Sequence, residues 1–198
     1  ALQIRVEKRY SHGYVLSGNY TYGVAKQDSG DSFAFLFNRP LGYGDKDFLS
    51  RHSAIISQNY ELPFGRNKRF GAGMNRGLDA FLGGWSLNAI STIYGGLPFT
   101  PEFDAPSGAI RPNAGPANRP DRGTVSPFDG ARRDREQFFV GGLGQAFLLP
   151  ADNTFGNFGI NNLRGPRFYQ QDLSLAKSIF VAERVNINFR VETFNVWN

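Results

Sequence analysis

The chain has 198 residues, enough for one domain, with 19 Phe, 8 Tyr and 24 Gly against one Met and no Cys, and a formal charge of +5. That balance of aromatics and Gly favours strands and turns over helices, and the lack of Cys excludes disulfides, thiolate metal sites and a Cys nucleophile. The Lys and Arg residues are scattered and often sit beside acids, as in "GARRDREQ" (130–137), the pattern of a solvated surface and not of a nucleic-acid stripe.

No apolar run approaches the ~18 residues of a membrane helix. This excludes helical spans but not membrane strands, whose alternation keeps mean hydropathy low. The chain starts at "ALQIRVEKRY" and stops at "FNVWN" without a targeting signal. Both ends lie in or beside strand-like patterns, so the chain reads as a fragment of a longer polypeptide.

In chain order, "LQIRVEKRY" (2–10) places Leu2, Ile4, Val6 and Tyr10 on one face, with Lys8 the exception, and Gln3, Arg5, Glu7 and Arg9 on the other. "SHG" (11–13) then turns tightly into "YVLSGNYTYGVA" (14–25), where Tyr14, Leu16, Tyr20, Tyr22 and Val24 alternate with Ser17, Asn19 and Thr21. Two strands joined so closely predict an antiparallel hairpin. Residues 26–50, rich in Gly, Asp and Ser, read as a long loop. A third strand spans 51–63, with Ala54, Ile56, Tyr60 and Leu62 opposite Ser53, Ser57, Asn59 and Glu61, and Pro63 ends it.

Residues 64–82 form a basic, Gly-rich connection that closes in one helical turn. The fourth strand, 84–96, sets Trp85, Leu87, Ala89 and Ile93 against Ser86, Asn88, Thr92 and Tyr94. From 97 to 166 lies a connection without clear secondary structure, too long for a simple globular domain. A fifth strand, 168–178, carries Tyr169, Leu173 and Leu175 opposite Gln170, Asp172 and Ser174; after a link "IFVAE" comes "RVNINFRVE" (184–192), with Val185, Ile187, Phe189 and Val191 on one face and Arg184, Asn186, Asn188, Arg190 and Glu192 on the other. In "TFNVW" the pattern reverses, predicting either a bulge near Thr193 or the end of the spanning part. Connections that alternate short and long predict an up-and-down meander with turns on one rim and large loops on the other.

Alternation fits a soluble β-sandwich as well as a membrane barrel. The predicted strands, roughly 9 to 13 residues, exceed the ~5–6 of globular sheets and match the ~9–11 of a tilted membrane strand. Tyr10, Tyr14, Tyr60, Phe64 and Trp85 all fall on the short-turn side, as an interfacial girdle would. The fold class is therefore all-β, antiparallel up-and-down strands of a transmembrane β-barrel, a partial one of about six strands.

The runs "YELPFGRNKRF" (60–70), "LGGWSLNAISTIYGGLPFTP" (82–101), "TFGNFGINNLRGPRFYQQDLSLAKS" (154–178) and "FRVETFNVWN" (189–198) resemble the C-terminal part of TonB-dependent-receptor-like outer-membrane barrels of the Oar-like group. The resemblance covers most of the chain in order. It implies a Gram-negative outer membrane, periplasmic turns, and extracellular loops at 26–50 and 97–166. It further implies a plug and an N-terminal domain, neither of which lies within 1–198, and a TonB-type energy-transducing partner acting through that missing part. Six strands cannot close a transporter barrel of ~22, so further strands and the plug of the full-length chain are expected partners, with outer-membrane lipid and an unidentified solute.

On this reading Leu2, Ile4, Val6, Leu16, Tyr20, Ile56, Leu87, Leu173, Leu175, Val185, Ile187, Phe189 and Val191 face lipid. Arg5, Glu7, Arg9, Asn19, Asn59, Glu61, Asn88, Asp172, Asn186, Asn188, Arg190 and Glu192 face the lumen, as a wall that contacts a plug or solute or as simple hydration of a wet interior. His12 and His52 are expected near opposite rims, too far apart to share a metal. Asp28, Asp31, Asp45 and Asp47 carry the oxygen chemistry of calcium ligands but not the EF-hand spacing, and solvated loop carboxylates are the default. "GAGMNRG" (71–77) fits no phosphate-loop spacing. No catalytic signature stands out, and no catalytic residue, metal site or cofactor is assigned. The expected function is the barrel segment of a receptor or transporter for solute uptake; the alternatives are a non-transporting structural or adhesion barrel and a soluble β-sandwich binding module.

Overall fold

The computed structural model describes residues 1–28, 38–103, 119–128, 138–139, 144–151, 154–182 and 185–197; Asp31, segment 130–137 and Arg184 lie outside the described residues. In chain order the elements are β1 (Leu2–Ser11), β2 (Tyr14–Tyr22), β3 (Lys26–Asp28), α1 (Arg39–Gly42), β4 (Tyr43–Asp45), β5 (His52–Glu61), α2 (Arg76–Leu82), β6 (Trp85–Tyr94), β7 (Pro98–Phe99), β8 (Asp121–Arg122), β9 (Phe147–Leu148), β10 (Leu163–Arg164), β11 (Phe168–Ala182) and β12 (Val185–Thr193). They fall into two units, one of Ala1–Tyr22, His52–Tyr94 and Phe168–Asn198, the other of Gly23–Arg51 and Gly95–Arg167.

The first unit is the predicted meander. Its six strands lie in the order β1-β2-β5-β6-β11-β12, each antiparallel to its neighbour, and the sheet does not close. Alternation makes these strands, and turn chemistry joins them. Ser11 pairs with Tyr14 across His12 and Gly13, whose φ of 54° and 78° are the left-handed values a two-residue hairpin loop requires. A Cβ on Gly13 would meet the Glu61 carbonyl oxygen at 3.0 Å, so both the backbone angle and the approach of β5 favour Gly there.

The predicted connection at 64–82 contains a seven-residue helix, α2, longer than the single turn expected. Asn75 caps it, its side chain accepting a hydrogen bond from the Leu78 amide at 2.8 Å.

Two details of this unit differ from the sequence expectation, and a third decides between the two alternatives it left open after Thr193. The register slips between Lys8 and Ser11, one extra residue on β1, and the bulge carries Tyr10 away from Leu2, Ile4 and Val6 to donate a 2.8 Å hydrogen bond to Glu61 Oε2. The segment 179–182 is not a link: β11 runs on through Ala182, because its residues continue the ladder with β12. β12 ends at Thr193, and the chain folds back on β11 through Asn195 (φ 54°), whose amide donates to Asp172 at 2.9 Å, and Val196, whose amide donates to the Gln171 carbonyl at 2.9 Å. The reversal after Thr193 is thus a strand end.

The second unit corrects the expectation that 26–50 and 97–166 are structureless. The two connections form short two-stranded pairs, β3 with β4, β7 with β10 and β8 with β9. Ala146, Phe158 and Leu163, the buried hydrophobic residues among those described, all belong to this unit. Gly44 lets β4 lie directly on the backbone of Ile160, where any Cβ would collide. A sheet with no buried hydrophobic residue among those described and a loop unit with its own core together invert the usual globular arrangement, in which the strands carry the core.

Candidate functional site

Residues paired across a ladder point to the same side, so the register divides the sheet into two faces. One face carries Leu2, Ile4 and Val6 from β1, Leu16 and Tyr20 from β2, Ile56 from β5, Leu87 from β6, Leu173 and Leu175 from β11, and Val185, Ile187, Phe189 and Val191 from β12. The other carries Arg5, Glu7, Asn19, Asn59, Glu61, Asn88, Asp172, Asn186, Asn188, Arg190 and Glu192. Arg9 lies in the bulged stretch, where no register fixes it. The segregation is incomplete: Lys8, Gln58, Ser91, Gln171 and Lys177 fall among the apolar residues, and Val15, Ile55 and Ile90 among the polar ones.

The polar face is linked from strand to strand. Asn59 Nδ2 donates to Asn88 Oδ1 across β5 and β6, and Ser178 Oγ to Asn188 Oδ1 at 2.7 Å across β11 and β12. Along single strands Arg5 pairs with Glu7, and Arg190 with Glu192 at 3.4 Å. Lys68, in the β5–β6 connection, donates to Glu61 at 2.8 Å, and this hydrogen bond raises the Lys68 pKa above its usual value. Asn88, Asp172, Arg190, Glu192 and Phe194 line a shallow cavity of about 250 Å³ on this face. Asn19 and Asn186 sit in the register without joining these links.

Aromatic residues mark both ends of the sheet. At the short-turn end Tyr14 and Tyr60 meet edge-to-face at 6.2 Å, and Trp85 Nε1 donates to the Phe81 carbonyl at 3.1 Å. Lys177 is buried there, its Nζ 5.1 Å over the Trp85 ring and bonded to the Gly83 and Phe81 carbonyls at the end of α2. The loop end carries a second band that the sequence reading missed: Tyr94 stacks on Phe168 at 6.1 Å, and Tyr22 lies 5.1 Å from the His52 ring. From Tyr14 to Tyr22 is about 26 Å along β2 at ~3.3 Å per residue, or about 20 Å at a ~40° tilt, against an apolar band of ~25 Å in outer-membrane barrels. His12 and His52 sit at these opposite ends, in the hairpin loop and opposite Tyr22.

Polar chemistry in the loop unit centres on Asp45. Its carboxylate, 6% exposed, receives Lys26 Nζ at 2.7 Å, Arg51 Nη2 at 2.6 Å and Arg164 Nη2. Burial acts to raise its pKa, but the hydrogen bonds from Lys26, Arg164 and Arg51 prevail and hold it at about 2. Asn161 locks the backbone beneath, Nδ2 donating to the Asp45 carbonyl at 2.7 Å and its own amide to Thr100 Oγ1 at 2.8 Å. Asp28, another of the acids considered for calcium, pairs with Arg39 at 2.8 Å. The oxygens of Asp45 and Asp28 thus already hold basic side chains, which stand 6, 11, 19 and 119 residues away in sequence, whereas Asp47 accepts a hydrogen bond from the Phe48 amide at 3.0 Å. Asp45 was visible as a candidate; only the fold could supply its neighbours. Among the described residues no three His, Asp or Glu side chains are grouped to hold a metal.

No curated protein and no solved structure matches the chain. A family model described as "Outer membrane beta barrel domain" matches residues 1–198. With an antiparallel meander, two opposed faces and aromatic bands at both strand ends, the chain belongs to this family of β-barrels of the Gram-negative outer membrane, where it forms part of a barrel wall in contact with membrane lipid.

Proposed function

We propose that the chain is the C-terminal barrel section of a TonB-dependent-like outer-membrane receptor or transporter of the Oar-like kind. The apolar face meets lipid and the polar face lines a wet lumen. The long connections are extracellular, the short turns are periplasmic, and energy arrives from a TonB-type protein through upstream parts of the full-length chain. One observation carries the reading: the register gathers thirteen apolar side chains on one face and eleven polar ones on the other. In lipid the free edges of β1 and β12 would leave backbone groups unsatisfied, so further strands must complete the wall. The barrel acts as conduit and receptor, not as catalyst.

Residues 1–198 contain no Cys, so single cysteines can be introduced there one at a time in the full-length protein, with any Cys outside 1–198 first replaced by Ser. In intact outer membranes, Asn59→Cys and Asn88→Cys should react with a membrane-impermeant maleimide, while Ile56→Cys and Leu87→Cys should not. Equal labelling of both sets would sink the face assignment. Collapse of the proton-motive force should change the labelling rate of Asn59→Cys in a transporter.

A second reading, a non-transporting surface or adhesion barrel, is favoured by the loop unit having its own buried residues, Ala146, Phe158 and Leu163. It predicts lumen labelling indifferent to energy.

A further inference from the structure

The loop unit carries an open cleft of about 720 Å³ lined by Lys26, Asp45, Arg51, Arg164 and Arg167, with Phe128, Phe138 and Asn161 among the remaining walls. Its size lies within the ~300–1,000 Å³ of small-molecule sites. Its charge is lopsided. Three cations converge on the one carboxylate of Asp45, and Arg167 adds a fourth positive group whose side chain is exposed and has no hydrogen bond or ion pair among the described residues. Among the described lining residues, four positive groups stand against one negative, a net of +3.

The donors are also underused. Arg51 gives Nη2 to Asp45, while its Nε is buried without a hydrogen-bond partner among the described residues. Arg164 divides its two terminal nitrogens between Asp45 and the Gly96 carbonyl, the latter at 3.1 Å. Lys26, Arg51 and Arg164 remain 42%, 37% and 27% exposed. Arginines fixed in this way by a shared carboxylate are pre-oriented, and the planar guanidinium fork suits carboxylate and phosphate oxygens. Phe128 and Phe138 meet edge-to-face at 5.9 Å and give the same cavity an apolar side.

We propose that this cavity binds a small soluble organic anion, with a carboxylate or phosphate at the cationic wall and a planar apolar part against Phe128 and Phe138. The inference deepens the receptor reading by naming the chemical class of solute, and rests on it for the exposure of the long loops to the medium. A cleft whose described lining is predominantly positive also draws an anion in, with an on-rate that falls as salt rises.

The test is calorimetric titration of the full-length protein in detergent with phenyl phosphate, inorganic phosphate and neutral phenyl glucoside. Phenyl phosphate should bind saturably, tighter than inorganic phosphate, and more weakly as ionic strength rises; phenyl glucoside should not bind. Arg167→Gln removes a charge that holds nothing in place, and should weaken phenyl phosphate binding at least tenfold while heat-modifiable gel migration stays unchanged. Lys26→Gln should weaken it similarly. Absence of saturable binding, or wild-type affinity in both variants, would overturn the site. The titration needs no energy source and no membrane. Anion binding without energy-dependent labelling would therefore overturn transport and keep the site, and the converse would do the reverse.

Discussion

Asp45 holds three cations with one carboxylate, and its depressed pKa turns that geometry into a pH dependence. A carboxyl held at about 2 against an ordinary 3.8 contributes stability that is fully present above pH ~4 and is lost as pH falls through about 2. The shift is worth about 2 kcal/mol at most, because the half-exposed cations are screened. Hydrogen exchange at residues 43–45 and 160–164 should therefore stay slow from neutral pH down to ~4, after correction for intrinsic rates, and accelerate near pH 2. Asp45→Asn should abolish that step and speed exchange there already at neutral pH, since it leaves Lys26, Arg51 and Arg164 mutually repelling. None of this was legible beforehand. The sequence singles out Asp45 as an acid in a polar loop, but nothing local announces an Arg 119 residues downstream.

Local pattern says far more about elements than about such long-range pairs. Each of the six long strands falls where period-two alternation predicts, and the "SHG" turn forms the hairpin it encodes. Misses occur where a competing interaction overrides the pattern. Tyr10 fits the apolar alternation but leaves it for Glu61 through a bulge, and 179–182 looks like a link but is held in the ladder by β12. The small β pairs of the long connections, two or three residues each, are too short for any period to show.

Three substitutions test the elements. Gly13→Ala places a side chain at φ 78° against the Glu61 carbonyl and should cost the β1–β2 hairpin about 1–3 kcal/mol, read as a lowered urea midpoint of the folded barrel. His12→Asn keeps a residue that tolerates the left-handed region and should leave the stability within ~0.5 kcal/mol of wild type, the range of ordinary surface substitutions. Lys177→Met strips the donor from the Gly83 and Phe81 carbonyls at the end of α2. It should cost about 1–3 kcal/mol, with faster hydrogen exchange at residues 80–84.

For the whole molecule the two faces were legible because a strand's side-chain period is two whatever surrounds it, and the sheet register merely aligns what each strand already separates. Height in the membrane was not, since it depends on which residues share a row. "RVNINFRVE" is the clearest alternation, yet Phe189 pairs with Lys177, which pairs with Trp85, so along hydrogen-bonded rows it lies level with the short-turn aromatics. Leu173 is better placed to test burial in lipid. It pairs with Ala89 and Thr193, midway along β11 between the Tyr169 and Lys177 rows, and shares its face with Leu16 and Ile56. An Arg there should cost about 2–4 kcal/mol if the row lies near mid-bilayer, measured as loss of folded, heat-modifiable barrel in urea titrations in lipid vesicles. Ser174, one residue on and paired with Asn88 and Glu192, points to the polar side; its own hydroxyl is buried and unpartnered among the described residues, but the cavity of about 250 Å³ that it lines gives a longer side chain room beside the Glu192 carboxylate. Ser174→Arg should therefore fold nearly as well as wild type, and a reversed ranking of Leu173→Arg and Ser174→Arg would mean that lipid lies on the other face.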